Sequence, residues 1–277
     1  KALAMKKWFN TNYHYIVPEV EDDTQIKLSG DKLWNEYDEA EELGIVTKPM
    51  ITGAYTMVKL CRYTGNKSAA DYVDDIVKAY KELLQTCGKK QIAWVQFDEP
   101  ALVLDMSDED KKLFHEIYDA LLACSTDTKI LLQTYFGDIR DIYEDVIKMS
   151  FAGIGIDFIE GKQSYELVSK FGFPKDKVLF AGLVNGKNIW KNHYDKTLKI
   201  VNELADKCID TVISTSCSLL HVPYTLGNEE KLSKEYTAYF SFAKEKLVEL
   251  NELGKLADKK NYCDDEVYKK NHELFNG

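Results

Sequence analysis

Acids, a thiol and imidazoles recur where apolar runs give way to loops, and these are the side chains that move protons, attack carbonyls or hold metals. Asp98-Glu99-Pro100 could supply a general acid and base, but neighbours on a strand point to opposite faces and cannot both address one bond. Either acid can instead fix loop amides while Pro100 ends the strand. Cys217 and His221, four residues apart, would share a face if that stretch were helical, as a thiol nucleophile or a metal site requires. Pro223 argues against a long helix there, and a buried structural thiol is the commoner fate of such a cysteine. His14 sits in the aromatic run Trp8, Phe9, Tyr13, Tyr15, where packing competes with ligand contact. Thr64-Gly65-Asn66-Lys67-Ser68 superficially looks like a phosphate loop, but the first glycine and the preceding strand are missing.

The elements that would position these groups alternate between short apolar runs and helical periodicity, the pattern of a parallel sheet with crossover helices. Strands are expected at Lys48 to Thr52, Ile92 to Phe97, Lys129 to Thr134, Gly153 to Phe158, Val178 to Leu183 and Thr211 to Thr215. Helices are expected at Ala69 to Leu84, with Tyr72, Ile76, Tyr80 and Leu83 in phase, and from Ser107 to about Cys124 behind a capping hydroxyl and first-turn acids. A last helix is expected over Glu229 to Leu253, followed by a polar tail. The fold class is α/β. With this many βα units the simplest architecture is a (β/α)8 barrel, although six strands fall short of closing one. Almost every strand runs into a polar cluster at its C-terminal end: Asp98-Glu99, Thr134 to Asp138, Asp157 to Lys162, Asn185 to Asn188, and Ser214 to Ser218 with His221. In a barrel those ends form the ligand face.

Composition narrows the partners. A net charge of -10 over 277 residues argues against nucleic acid, because nothing would neutralise a polyanion along a track. Six scattered cysteines without a CxxC pair fit a reducing, cytoplasmic setting. No apolar stretch is long enough for a membrane span, and no signal peptide is evident.

The stretch Lys7-Trp8-Phe9-Asn10-Thr11-Asn12-Tyr13-His14-Tyr15-Ile16-Val17-Pro18-Glu19 closely resembles a signature of the cobalamin-independent methionine synthases. Trp94 to Leu102, Thr134 to Gly137, Ala181 to Trp190 and Ser214 to His221 resemble further family motifs in the same order, so that the likeness runs from about residue 5 to about residue 250. It implies an enzyme of two face-to-face (β/α)8 barrels that moves a methyl group from a 5-methyltetrahydropteroyl polyglutamate to homocysteine, forming methionine. A zinc ion in the C-terminal barrel would present homocysteine as a thiolate. This chain would be most of the N-terminal barrel, lacking that barrel's first two strands, over residues 1–253, with residues 254–277 as a polar tail or the start of an inter-barrel linker.

By the resemblance Lys7 contacts the folate, pairing with a carboxylate of its glutamate tail, and Asn12, His14, Asp98 and Glu99 support the pocket. Asp157 falls where the second barrel's glutamate ligand would, and Cys217 where its last cysteine would, but Leu132 to Phe136 offers neither His nor Cys. Two donors do not make a closed site, so both read as relics, no metal or catalytic residue is expected in this chain, and the fragment alone is expected to be inactive. The expected partners are the folate polyglutamate and the C-terminal barrel. A different class of function remains open, a non-catalytic domain that binds folate polyglutamate or pairs with another barrel. So does a self-sufficient barrel enzyme using Asp98, Asp157 and Cys217.

Overall fold

The structure, a computed structural model, describes residues 2–207 and 209–276, so Cys208 lies outside the described residues. The chain divides into two units, Lys1–Thr134 with Ile139–Ile154, and Tyr135–Asp138 with Gly155–Gly277.

The first unit opens with strands β1 (Met5–Lys7) and β2 (His14–Ile16), paired antiparallel with Lys7 opposite His14. Their turn is tied by Trp8 N–H donating to the Tyr13 carbonyl at 2.7 Å and by the Thr11 hydroxyl donating to the Trp8 carbonyl at 2.7 Å, and Phe9 takes a left-handed φ of 49° within it. Strand β3 (Glu19–Val20) is followed by α1 (Lys32–Glu42), β4 (Met50–Thr52) and α2 (Ala54–Leu60). Then come β5 (Arg62–Tyr63), which pairs parallel with β3, and α3 (Val73–Lys89). Strand β6 (Trp94–Asp98), helix α4 (Asp108–Leu122), strand β7 (Lys129–Gln133) and helix α5 (Tyr143–Lys148) complete the unit's elements. Strand β6 lies between β4 and β7, parallel to both, with Thr52 opposite Asp98 and Asp98 opposite Gln133.

Helical phase explains what packs on these strands. α3 buries Ile76, Val77, Leu83, Leu84 and Cys87 and carries Asp74 and Asp75 in its first turn, where the helix dipole favours acids. α4 starts at the expected serine: Ser107 and Asp110 exchange side-chain to backbone bonds in a capping box. The rings of Tyr55, Phe114, Tyr118 and Phe151 meet in sequence, edge to face, tilted and edge to face, at centroid distances of 5.8, 4.8 and 5.4 Å, all fully buried, and form the aromatic centre of this core.

Strand β8 (Gly153–Asp157) leads into the second unit, which holds α6 (Ser164–Phe171), β9 (Val178–Val184), α7 (Tyr194–Asp206) and β10 (Thr211–Thr215). There β9 lies between β8 and β10, parallel to β10, with a register shift between Ser214 and Thr215. Each of the six expected strands is present. The fold is α/β with mostly parallel pairing, and no described helix is long and apolar enough to cross a membrane.

The C-terminal stretch departs from the expectation. The single helix over 229–253 is broken into α8 (Lys234–Thr237) and α9 (Ala243–Ala257). The chain between them turns and is then held by backbone bonds to 189–191: Lys191 N–H donates to the Tyr239 carbonyl at 2.8 Å and Ser241 N–H to the Ile189 carbonyl at 2.6 Å. The boundary placed at 253/254 falls inside α9. What was read as polar tail forms α10 (Glu266–Asn276), tied down by Asn271, whose side chain accepts from Tyr194 N–H and donates to the Asn192 carbonyl, both at 2.9 Å. Leu253 and Leu256 of α9 pack with Val184, Tyr194 and Leu198 in the unit's core.

Candidate functional site

In the first unit the chemistry-bearing residues sit in two places. Lys7 and His14 face each other across β1 and β2, both exposed, and exposed Asn12 follows in the turn. Cross-strand neighbours of this kind present their side chains side by side to one ligand. Of the two roles open to His14, packing into its aromatic run is not the one it takes: the side chain is exposed. Trp8 takes that role, meeting Phe9 and Tyr15 edge to face at 5.1 and 6.0 Å.

Asp98 and Glu99, adjacent at the end of β6, do point apart. Asp98 accepts from the Gln96 amide at 2.7 Å, and its charge lies near Lys48, whose ammonium is pushed down by burial and held up by Asp98. Glu99 turns into the core and is fully buried. It accepts the N–H groups of Tyr55 at 2.9 Å and Thr56 at 2.7 Å, the open donors at the start of α2, and also the Tyr118 hydroxyl. Burial raises its carboxyl to about 7 against these hydrogen bonds, which lower it. Glu99 is therefore a helix-capping carboxylate in the core, whereas Asp98, 8% exposed, stays at the end of β6 beside Gln96 and Lys48. The Lys48 contribution went unread in the sequence, where a charge ahead of Pro49 and an apolar strand was the available signal.

The Gly65 loop is closed to phosphate by the protein itself. Asp22 accepts the N–H groups of Asn66 and Lys67 at 2.8 and 2.9 Å, so a carboxylate already occupies the backbone nest.

In the second unit the ends of β8, β9 and β10 meet around Asp157 and Cys217. Asp157 is buried and accepts three backbone N–H groups, from Phe136 at 3.0 Å, Ile159 at 2.7 Å and Glu160 at 2.9 Å. Its carboxyl is raised to about 6, burial outweighing those bonds. The Cys217 thiol, buried and near the charges of Asp157 and Glu160, is pushed up to about 12. Both Asp157 oxygens are engaged by backbone N–H groups, and one thiol beside them does not make up the four-donor set a zinc ion takes. The group of three or more His, Cys, Asp or Glu side chains that a metal needs does not occur among the described residues. Above them Lys187 pairs with Glu160 at 2.8 Å and lies 4.9 Å from the Phe136 ring centre, and the His221 ring meets the same phenyl at 5.6 Å. Residues Leu219–His221 form a single 3₁₀ turn, so Cys217 and His221 share no helical face.

An α/β chain with polar residues gathered at strand C-termini is of the enzyme-like class that keeps its chemistry on strand-end loops. Residues 1–209 match the model of the cobalamin-independent synthase N-terminal domain, and the chain belongs to that family. It is 52% identical over 275 residues to the 5-methyltetrahydropteroyltriglutamate–homocysteine methyltransferase of Lactococcus lactis subsp. lactis strain IL1403, covering 99% of this chain and 36% of that protein. It is 49% identical over 274 residues to the protein of the same name from Campylobacter jejuni subsp. doylei, again covering 99% and 36%. The chain thus spans about a third of the length of the curated relatives it matches. In fold it is similar to a B12-independent methionine synthase from Shewanella sp. W3-18-1 (TM-score 0.66, 15% identity, 91% of this chain and 73% of that one). It is also similar to a vitamin-B12-independent methionine synthase from Listeria monocytogenes (TM-score 0.62, 16% identity, 86% and 72%).

Proposed function

We propose that this chain is the folate-side part of a cobalamin-independent methionine synthase, a cytoplasmic enzyme that transfers a methyl group from 5-methyltetrahydropteroyltriglutamate to homocysteine. The observation that carries the reading is the exposed pair Lys7 and His14, facing each other on β1 and β2 inside the family-like stretch from Lys7 to Glu19. An ammonium so placed pairs with a carboxylate of the glutamate tail, and the neighbouring imidazole adds a hydrogen-bonding edge. Asn12 extends the same polar surface, and Asp98, beside Lys48, is a second point of polar contact. Glu99 supports them from within by holding the start of α2. In this reading the six parallel-type strands belong to a (β/α)8 barrel whose first two strands precede them, and a second, C-terminal barrel brings homocysteine and its zinc. The chain's own Asp157 and Cys217 do not supply that ion's ligand set; the chain binds and orients the methyl donor.

The test is calorimetric titration of the chain, and of the complete protein that contains it, with 5-methyltetrahydropteroyltriglutamate, alongside Lys7→Ala. Stoichiometric binding that weakens about tenfold or more in the variant supports the reading, since a charge-assisted hydrogen bond contributes roughly 1.5–3 kcal/mol. Equal binding by both, or none by the complete protein, overturns it.

A further inference from the structure

Lys7 and His14 share their side of the hairpin with two large apolar residues. In the antiparallel register Met5 lies opposite Ile16 as Lys7 lies opposite His14, and residues two apart on a strand point to the same face. The four side chains therefore form one surface, about 5 Å across the strands and about 7 Å along them. Half of that surface is cationic and polar, and half is apolar.

The opposite face of the hairpin holds it to the first unit. Tyr15 is half-buried there, its hydroxyl donating to the Leu60 carbonyl at 3.4 Å and its ring meeting Trp8 edge to face. Val17, just past β2, is buried and donates its N–H to the Ala4 carbonyl at 2.8 Å. The apolar pair points the other way, with Met5 69% and Ile16 62% exposed. One exposed apolar side chain is ordinary; two set directly opposite each other, beside an ammonium and an imidazole, suit a ligand whose apolar group adjoins an anion. A γ-linked glutamate chain by itself uses only the polar half. In a pteroylglutamate an amide joins the benzoyl ring to the first glutamate, which puts an aromatic face a few bonds from an α-carboxylate. The thioether of a methionine is a good partner for such a ring.

We propose that Met5 and Ile16 are specificity-determining residues for the methyl donor: with a glutamate carboxylate on Lys7, the p-aminobenzoyl ring lies against the Met5 thioether and the Ile16 side chain. The proposal rests on the folate reading above. It adds that the hairpin distinguishes a pteroylglutamate from a bare glutamate chain.

The test titrates the complete protein by calorimetry with 5-methyltetrahydropteroyltriglutamate and with free γ-linked triglutamate. The variants are Lys7→Ala, a polar double variant (Met5→Thr with Ile16→Thr) that keeps strand propensity, and a conservative one (Met5→Leu with Ile16→Val). The polar double variant is expected to weaken the pteroyl ligand about tenfold and free triglutamate less than about twofold, whereas the conservative one retains pteroyl binding and Lys7→Ala weakens both ligands. Equal loss of both ligands in the polar double variant, or loss of neither, overturns the proposal and leaves the folate reading standing. Where free triglutamate gives no heat up to about 10 mM, the conservative double variant decides: a loss as large as in the polar one overturns the proposal. A melting temperature lowered by several degrees in the polar double variant would show the apolar pair to be covered by protein, and overturns it too. No effect of Lys7→Ala on either ligand removes the folate reading itself, and the proposal with it.

Discussion

Asp157 accepts the backbone N–H of Phe136 at 3.0 Å, and Phe136 stands at a φ of 73°, in the left-handed region that bulky side chains avoid. By accepting that N–H the carboxylate helps to hold the turn after β7 in this conformation. Asp157→Asn presents an amide N–H₂ where an acceptor is needed, and is expected to cost about 1–3 kcal/mol. Urea unfolding measures it. A cost within error would show that Phe136 keeps its conformation without Asp157.

The same geometry predicts that the chain takes up no stoichiometric zinc through Asp157 and Cys217. Equilibrium dialysis at neutral pH reads this directly. One tightly held zinc per chain that is lost in Cys217→Ala would mean that the thiol ionises despite its burial.

Glu99 predicts a pH dependence with a definite sign. Its carboxyl is raised from 4.5 to about 7 by burial, so between those values the folded chain holds a proton that the unfolded chain has released. The stabilisation associated with that proton is fully present below about pH 4.5 and is lost as pH rises through 7. Glu99→Gln lacks this contribution. The stability difference between wild type and variant is therefore expected to shrink from pH 4.5 to 7 in paired denaturant melts, and a difference that grows over that range would contradict the raised value.

A Cβ added at Gly53 would lie 2.2 Å from Glu99 Cδ. Gly53→Ala is expected to destabilise by about 1–3 kcal/mol through overpacking. In a Glu99→Ala background the clash is gone, so the same substitution should cost markedly less, and the double-mutant cycle isolates the contact. Additive effects would place the strain elsewhere.

Lys7 is exposed, so Lys7→Ala should leave the melting temperature within about 1 °C while weakening triglutamate binding. The wild-type affinity should also fall as salt rises, because the pairing is ionic and open to solvent. An affinity indifferent to salt would argue that Lys7 acts through packing.

Much of this was legible in the chain. The six strands followed from apolar runs of strand length, and the Ser107 cap from its serine followed by three acids. The break between α8 and α9 was not legible, since residues 229–253 carry helical periodicity throughout. What decides there is pairing with 189–191, some fifty residues earlier, which offers the backbone another set of partners. How the polar tail docks was not legible for a related reason: Asn271 finds backbone partners at Asn192 and Tyr194 that no local pattern discloses.

The sequence by itself determined the α/β alternation, the strand positions, the opposed directions of Asp98 and Glu99, and the kinship carried by Lys7 to Glu19. All of these depend on residue type and local period. The tertiary structure alone decided that Glu99 is a buried helix cap, that Asp22 fills the Gly65 loop and that Asp157 is spent on three amides. Each of those outcomes depends on which distant backbone groups arrive beside a side chain, and burial then decides whether its charge and its lone pairs remain available.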